Sequence, residues 1–189
     1  MIVSAKRVLE LNPIWNLVEN IAESQISPEG VGIDVRVGEV FRLEGDSYLG
    51  VDLRKTPSPK LVARWKEDTE VVMKSNDFVL VKTIEVVNIP SEKIAVQEGS
   101  AATLLMLNVF PRTTLQRCGV SFLGTKTDPG YKGQLIFGLK NVGGNEFRLE
   151  LGARIANLVF EQVVGDLARP YEGPWSGGRV GTEGTEKQR

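Results

Sequence analysis

Four short stretches of this chain carry side chains that could do chemistry. Residues 111–117, PRTTLQR, place Arg112 beside two hydroxyls, Thr113 and Thr114. A guanidinium forks onto two oxygens of an anion while hydroxyls donate singly, so the trio suits a phosphate. A surface turn with a capping threonine accounts for the same letters. In residues 124–133, GTKTDPGYKG, Asp128 stands on a Pro-Gly turn with Tyr131 three positions on. A carboxylate held on a tight turn can orient and deprotonate a water, and a tyrosine face beside it could pack on a sugar. Asp-Pro-Gly is also an ordinary turn with no chemistry attached. Arg154 and Asn157 are polar residues inside the apolar run 152–158, GARIANL, a pattern that an interface strand also shows. Near the end, WSGGRVGTEG combines glycines that let backbone N–H groups approach phosphate, the charge of Arg179, and Trp175, which could stack on a base. No GxxxxGK[ST] loop is present, and composition alone would make this stretch a disordered terminus.

Composition narrows the chemistry further. The 189 residues include no histidine and one cysteine, Cys118. Catalytic Ser-His-Asp and Cys-His arrangements, imidazole metal sites and multi-thiolate zinc sites are therefore excluded, and acid–base work falls to Asp, Glu, Lys, Tyr or water. A metal would be a hard cation on oxygen ligands, which points to magnesium. Lys plus Arg is 23 and Asp plus Glu is 24, a formal charge of −1, so nothing in the balance calls for nucleic acid or an anionic membrane. No apolar run reaches the roughly 18–20 residues of a membrane span, and MIVSAKRVLELNP lacks a signal-peptide core, so a cytoplasmic location is expected. Cys118 reads as a small core residue.

The elements that must hold these residues read mostly as strands. Ser4 is an N-cap for one short helix through Val8, Leu9 and Leu11 that Pro13 should end, with a second turn through Ile14, Leu17, Val18 and Ile21. Ile33, Val35, Val37 and Val40 alternate with polar or small residues. Strands are expected over 78–89, 101–110 (closed by Pro111), 133–141 and 147–163, the last after a Gly143-Gly144 turn. Residues 43–75 are irregular and suggest a hairpin or inserted arm. Many short strands between Gly/Pro turns argue for an all-β sandwich or barrel. The expected organisation is one domain over 1–169 and a tail, 170–189, with five glycines, two prolines and three basic residues. That tail can bury little and should be mobile.

Taken in order, the motifs resemble the superfamily of trimeric dUTPases and dCTP deaminases. MIVS at 1–4 resembles the opening MILS; VGIDVRVG at 31–38 resembles SxDLRLG; FVLVKTIEVVNIP at 78–90 resembles FxLAxTxExxxxP. PRTTL, TDPGYKGQL and LGARIANLVF are similar to the family's phosphate motif, its IDxxYxGxL motif and its PGxRIAQLxF motif. The resemblance implies a mainly all-β, distorted jelly-roll barrel of the dUTPase type, with a short N-terminal helix, assembled as a homotrimer with sites between subunits. Family deaminases carry a glutamate in a strand like GxITLELSN; here the strand reads GQLIFGLKN, and Gly138 stands at that place. The resemblance therefore favours dUTP diphosphatase, hydrolysing dUTP to dUMP and pyrophosphate with Mg2+, over a dCTP deaminase or a bifunctional enzyme. A non-catalytic nucleotide-binding trimer is the alternative of another class.

In that reading Asp128 is the general base and Tyr131 packs beneath the deoxyribose. Arg112, Thr113, Thr114 and Asn157 bind phosphates, with Asn157 one methylene shorter than the family's glutamine. Backbone groups at about 122–127 read the base. Trp175 and Arg179 belong to a tail, contributed by another subunit, that closes over the nucleotide, and Asp34 touches the metal through its outer shell.

Overall fold

A computed structural model of the chain describes residues 1–25 and 30–188; Arg189, the last letter of the tail, lies outside them. Ser4 caps the first helix as its side chain suggests: Oγ accepts from the Arg7 N–H at 3.3 Å. The helix does not stop at Pro13. It runs Ala5–Trp15 with the proline inside, near an end where its missing N–H forgoes only one bond, and Asn16 closes it in the left-handed region at φ 49°. Ile14 thus belongs to the first helix, and no second helical turn follows. Asn12 instead pins the exit: its side-chain amide donates to Val18 O and accepts from Val18 N–H.

In chain order the elements are β1 (Ile2–Val3), α1 (Ala5–Trp15), β2 (Val18–Glu19), a 3-10 turn (Glu23–Gln25), β3 (Ile33–Glu44), β4 (Tyr48–Leu49) and β5 (Leu53–Lys55). There follow β6 (Ser58–Arg64), β7 (Glu70–Met73), β8 (Phe78–Asn88), β9 (Leu104–Pro111), α2 (Thr113–Arg117) and β10 (Val120–Leu123). The chain ends with β11 (Lys132–Asn141), β12 (Phe147–Glu150), β13 (Arg154–Val163) and β14 (Glu186–Lys187). Residues 147–163 are therefore two strands, because Gly152 at φ 84° turns the chain between them. PRTTLQR is a short helix rather than a bare turn.

Every pairing between named strands is antiparallel. The main sheet runs β1-β13-β3-β8-β11-β10, with β9 on β13, β6 on β3 and β2 on β8. β3 belongs to both halves of this sheet. Its first residues, Ile33 to Arg36, pair with β13, and from Val37 onward it pairs with β8, then β6. Register shifts at Val37/Glu39 and Val40/Phe41 mark the bend, as bulges do where a strand changes partners. The predicted alternation holds: Ile33, Val35, Val37 and Val40 are fully buried. Their apolar faces meet Leu107, Phe137, Leu139, Leu158 and Phe160 in one core.

Residues 43–75 are not a single arm. β6 is an edge of the main sheet, β7 forms a ribbon with β12, and the β4–β5 hairpin alone stands apart. That hairpin pairs with β14, so the tail folds back onto its own chain. The tail is seated by main-chain bonds rather than by buried side chains, which is how a glycine-rich segment can dock: Tyr171 N–H donates to Pro129 O and Gly177 N–H to Lys132 O, each at 2.7 Å. The route over Lys132 requires Gly133. At its φ of 152° a Cβ would lie 2.6 Å from Gly178 N and 2.7 Å from Gly177 N.

The core and the cap should separate cleanly in stability measurements. Leu158→Ala, at a fully buried site, is expected to cost about 2–5 kcal/mol. Ser4→Ala is expected to cost about 1 kcal/mol. Urea midpoints at constant slope check both.

Candidate functional site

The sequence-predicted site residues fall into two groups. The first gathers on β3 and its neighbours around the carboxylate of Asp34. Arg112, at the end of β9, donates to Asp34 Oδ2; Arg154 of β13 reaches the same oxygen at 3.2 Å; Asn157 Nδ2 donates to Oδ1 at 3.1 Å. The register explains the meeting, because Asn157 lies opposite Asp34 on β3 and opposite Phe110 on β9. Two guanidiniums and an amide held around one carboxylate form an anion-binding array whose present anion is Asp34. Arg154 is a member that the sequence marks only as a polar residue in an apolar strand. Thr113 and Thr114 stand exposed at the start of α2, directly after Arg112.

Beneath this array a buried carboxylate braces β3 against β8. Glu85, fully buried, accepts from the Arg36 backbone at 2.8 Å, Arg36 Nε at 2.6 Å and Gln25 Nε2 at 2.9 Å. Gln25 also donates to Asp34 O, which couples the brace to the array.

The second group surrounds a cavity of about 410 Å³ lined by Leu80, Val109, Lys126, Asp128, Tyr131 and Trp175, among others. Asp128 stands half-exposed on the turn before β11 and accepts from Lys126 Nζ. It also borders a neighbouring cavity of about 450 Å³ lined by Arg54, Arg169, Tyr171 and Trp175. Tyr131, 8% exposed, donates its hydroxyl to Gln134 O at 2.6 Å, and its ring lies 5.7 Å from that of Tyr171. Burial, with a smaller push from Tyr171, raises its hydroxyl to about 12. A bulge between Gln134 and Ile136 shapes this floor and is stitched to β8: Leu135 N–H donates to Thr83 Oγ1 at 3.0 Å, and Gln134 Nε2 to Thr83 O at 2.6 Å.

Of the backbone at 122–127, residues 122 and 123 pair with β11, and Thr127 exchanges both main-chain bonds with Leu107. Thr125 and Lys126 line the cavity between them. Trp175 and Arg179 also line it, as tail residues of the same chain. Trp175 is engaged by cations, with the guanidinium carbons of Arg54 and Arg179 4.9 Å and 5.8 Å from its ring centroid. Arg54 and Tyr171 are the lining residues that sequence reading missed. Tyr171 sits in the quoted tail without a motif, and Arg54 lies in the irregular stretch, where no local signal marks it. Cys118 is exposed rather than in the core.

Gly138 stands on β11 opposite Leu80 of β8 and Leu123 of β10. A Cβ there would lie 3.0 Å from the Phe78 ring and 3.3 Å from Leu123 Cβ. The space a longer side chain would need at this position is thus filled by Phe78.

With this geometry in hand, comparison with known proteins is informative. A family model described as dCTP deaminase-like matches residues 8–163. The chain is a member of that family. It is 28% identical over 171 residues to the deoxyuridine 5'-triphosphate nucleotidohydrolase of Methanocaldococcus jannaschii, covering 90% of this chain and 99% of that one. It is 26% identical over 174 residues to the dCTP deaminase, dUMP-forming, of a Sulfurihydrogenibium species, covering 91% and 85%. Among solved structures, the 2'-deoxycytidine 5'-triphosphate deaminase of Agrobacterium tumefaciens superposes with a TM-score of 0.59 at 13% identity, over 84% of this chain. This chain spans 47% of that longer one. The β-rich fold is thus the one shared by dUTPases and dCTP deaminases, and the family's named members act on deoxynucleotides. Among the described residues no helix is long and apolar enough to cross a membrane.

Tyr131 yields a pH test. Its hydroxyl stays protonated in the folded chain to about 12, while an unfolded tyrosine ionises near 10. The folded state therefore holds the extra proton, and this contribution to stability is full below pH 10 and lost as pH rises toward 12. The urea midpoint should fall across that window in the parent and fall less in Tyr131→Phe.

Proposed function

We propose that the chain hydrolyses dUTP to dUMP and pyrophosphate. The observation that carries this reading is Asp128, set on a rigid turn at the rim of a cavity floored by Tyr131, in a member of this family that has glycine at position 138. A deaminase of the kind the sequence resembles needs a carboxylate at that place to move protons to and from a cytosine amine, and here Phe78 fills the space.

In this mechanism a water attacks the α-phosphorus, its proton passes to Asp128, and pyrophosphate leaves. Tyr131, neutral at physiological pH, packs its ring beneath the deoxyribose. The peptide groups of residues 124–126 read the uracil edge. Lys126 transfers its contact from Asp128 to a phosphate oxygen as the water arrives. The array of Arg112, Arg154 and Asn157, with the hydroxyls of Thr113 and Thr114, binds phosphates.

Magnesium fits this site as an ion carried in by the nucleotide. Among the described residues no group of three or more His, Cys, Asp or Glu could hold a metal. Asp34, whose two oxygens already accept from Arg112, Arg154 and Asn157, could meet it only through water. When bound, the ion neutralises charge developing on the triphosphate.

None of Asp34, Arg112, Arg154 and Asn157 lines either cavity at Asp128. That separation supports a homotrimer in which one subunit's arginine array faces another's Asp128. Exposed Ile2 on β1 and Phe110 on β9, both strands that pair with β13, supply apolar surface for such an assembly.

Product analysis with dUTP, dCTP and UTP side by side, in the presence of Mg2+, tests the reading. Pyrophosphate should be released from dUTP and no ammonia from dCTP. Asp128→Asn should lower turnover by roughly a hundredfold to ten-thousandfold while nucleotide binding persists. Full turnover in that variant would remove Asp128 as the base, and ammonia from dCTP would overturn the choice of branch.

A further inference from the structure

The β4–β5 hairpin and the end of the tail meet at a cluster that the proposed mechanism does not use. Glu186 of β14 lies opposite Arg54 of β5 in the ladder. Its Oε1 accepts from Arg54 Nε at 2.9 Å and from Arg54 NH2 at 2.7 Å, and its Oε2 accepts from Arg179 NH2 at 2.8 Å. One carboxylate thus bridges two guanidiniums, which hold its pKa below the usual carboxylate range, Arg179 contributing first and Arg54 second. Arg54 and Arg179 also flank Trp175, and the three side chains form one unit.

The two arginines border the site from both sides. Arg54 lines the 450 Å³ cavity and Arg179 the 410 Å³ cavity, and Asp128 and Trp175 line both. Two guanidiniums spanned by the oxygens of one carboxylate are also spaced to grip the oxygens of one phosphoryl group. The pair carries two positive charges against one negative charge from Glu186, so a more highly charged anion is the better match.

We propose that Arg54 and Arg179 form an anion-binding pair for the pyrophosphate end of the nucleotide, and that Glu186 occupies it as an internal competitor when no nucleotide is bound. This rests on the reading of the Asp128 cavity as a nucleoside triphosphate site and adds to it a binding residue, Arg54, from outside the motif-bearing strands. Entry of the substrate displaces Glu186 from the arginines. The tail stays on the hairpin through its other ties: Thr56 and Thr182 exchange backbone-to-hydroxyl bonds at 3.0 Å and 2.8 Å, and Gln188 N–H donates to Asp52 O at 2.7 Å. The irregular hairpin is thereby the seat of the tail, and occupancy of the arginine pair sets how firmly the tail closes.

Calorimetric titration of inorganic pyrophosphate into the full-length protein tests this without requiring turnover, so the result is independent of whether dUTP is the substrate. Glu186→Gln keeps the shape and removes the competing charge; it should tighten pyrophosphate binding by roughly three- to tenfold. Arg54→Gln should weaken binding about tenfold or more, with Arg54→Lys recovering part of the loss. Thr182→Val loosens the tail without touching the charges and should leave affinity within about twofold of the parent. An unchanged affinity in both Glu186→Gln and Arg54→Gln overturns the proposal. So does tightening in Thr182→Val equal to that in Glu186→Gln, because release of the tail would then explain the gain. Circular dichroism and thermal midpoints of each variant confirm that folded proteins are being compared.

Discussion

Strand β3 is paired along both edges, and the placement of every candidate site residue depends on it. Its first four residues hold β13, and its later ones hold β8 and β6. Asp34 is on β3 itself, Arg154 and Asn157 are on β13, and Arg112 follows β9, the next strand out. On the other side, β8 carries β11, and the turn with Asp128 and Tyr131 leads directly into β11. A slip of one residue in β3 would send Ile33, Val35 and Val37 to the opposite face and scatter both groups. Full burial of those three residues is what prevents it.

Glu85 secures the same junction by a different force. A buried carboxylate left without partners would cost several kcal/mol in order-of-magnitude terms. Glu85 avoids that cost only if β3 delivers both the backbone and the side chain of Arg36 to it, and if Gln25 returns from the N-terminal segment. The brace therefore selects one mutual position of β3 and β8 more than it adds stability. Gln25 bonds the carbonyl of Asp34, so the selected geometry extends to the anion-binding array.

Both candidate anion sites follow one design. Arginines that would face phosphate are held against a carboxylate of the same chain, Asp34 in one and Glu186 in the other. Pairing keeps partly buried guanidiniums satisfied until a stronger anion arrives, and it positions them in advance. The family resemblance drew attention to Arg112, Asn157 and Arg179 because they lie in or near recognisable motifs. Arg54 escaped notice because its role comes from a two-residue ladder between segments more than 130 positions apart, Arg54 and Glu186. Seating of the tail was equally invisible, since glycines in a sequence signal freedom while their N–H groups here bind Lys132 and line the route over Gly133.

By itself the sequence determined what depends on neighbours along the chain. Alternation of apolar residues gave the strand over 33–40, Ser4 gave the helix start, Asp-Pro-Gly gave the turn at the site, and the absence of histidine excluded whole classes of mechanism. It erred where a local rule met a longer-range one: Pro13 sits within a helix whose end is set by Asn16, and 147–163 is split by the Gly152 turn. Only the tertiary structure decided that Asp34 gathers the arginines, that Phe78 fills the space at Gly138, and that the hairpin over 48–55 receives the tail. Local propensity acts over a few residues, whereas these contacts join residues brought together by sheet register and core burial, which no window of sequence contains.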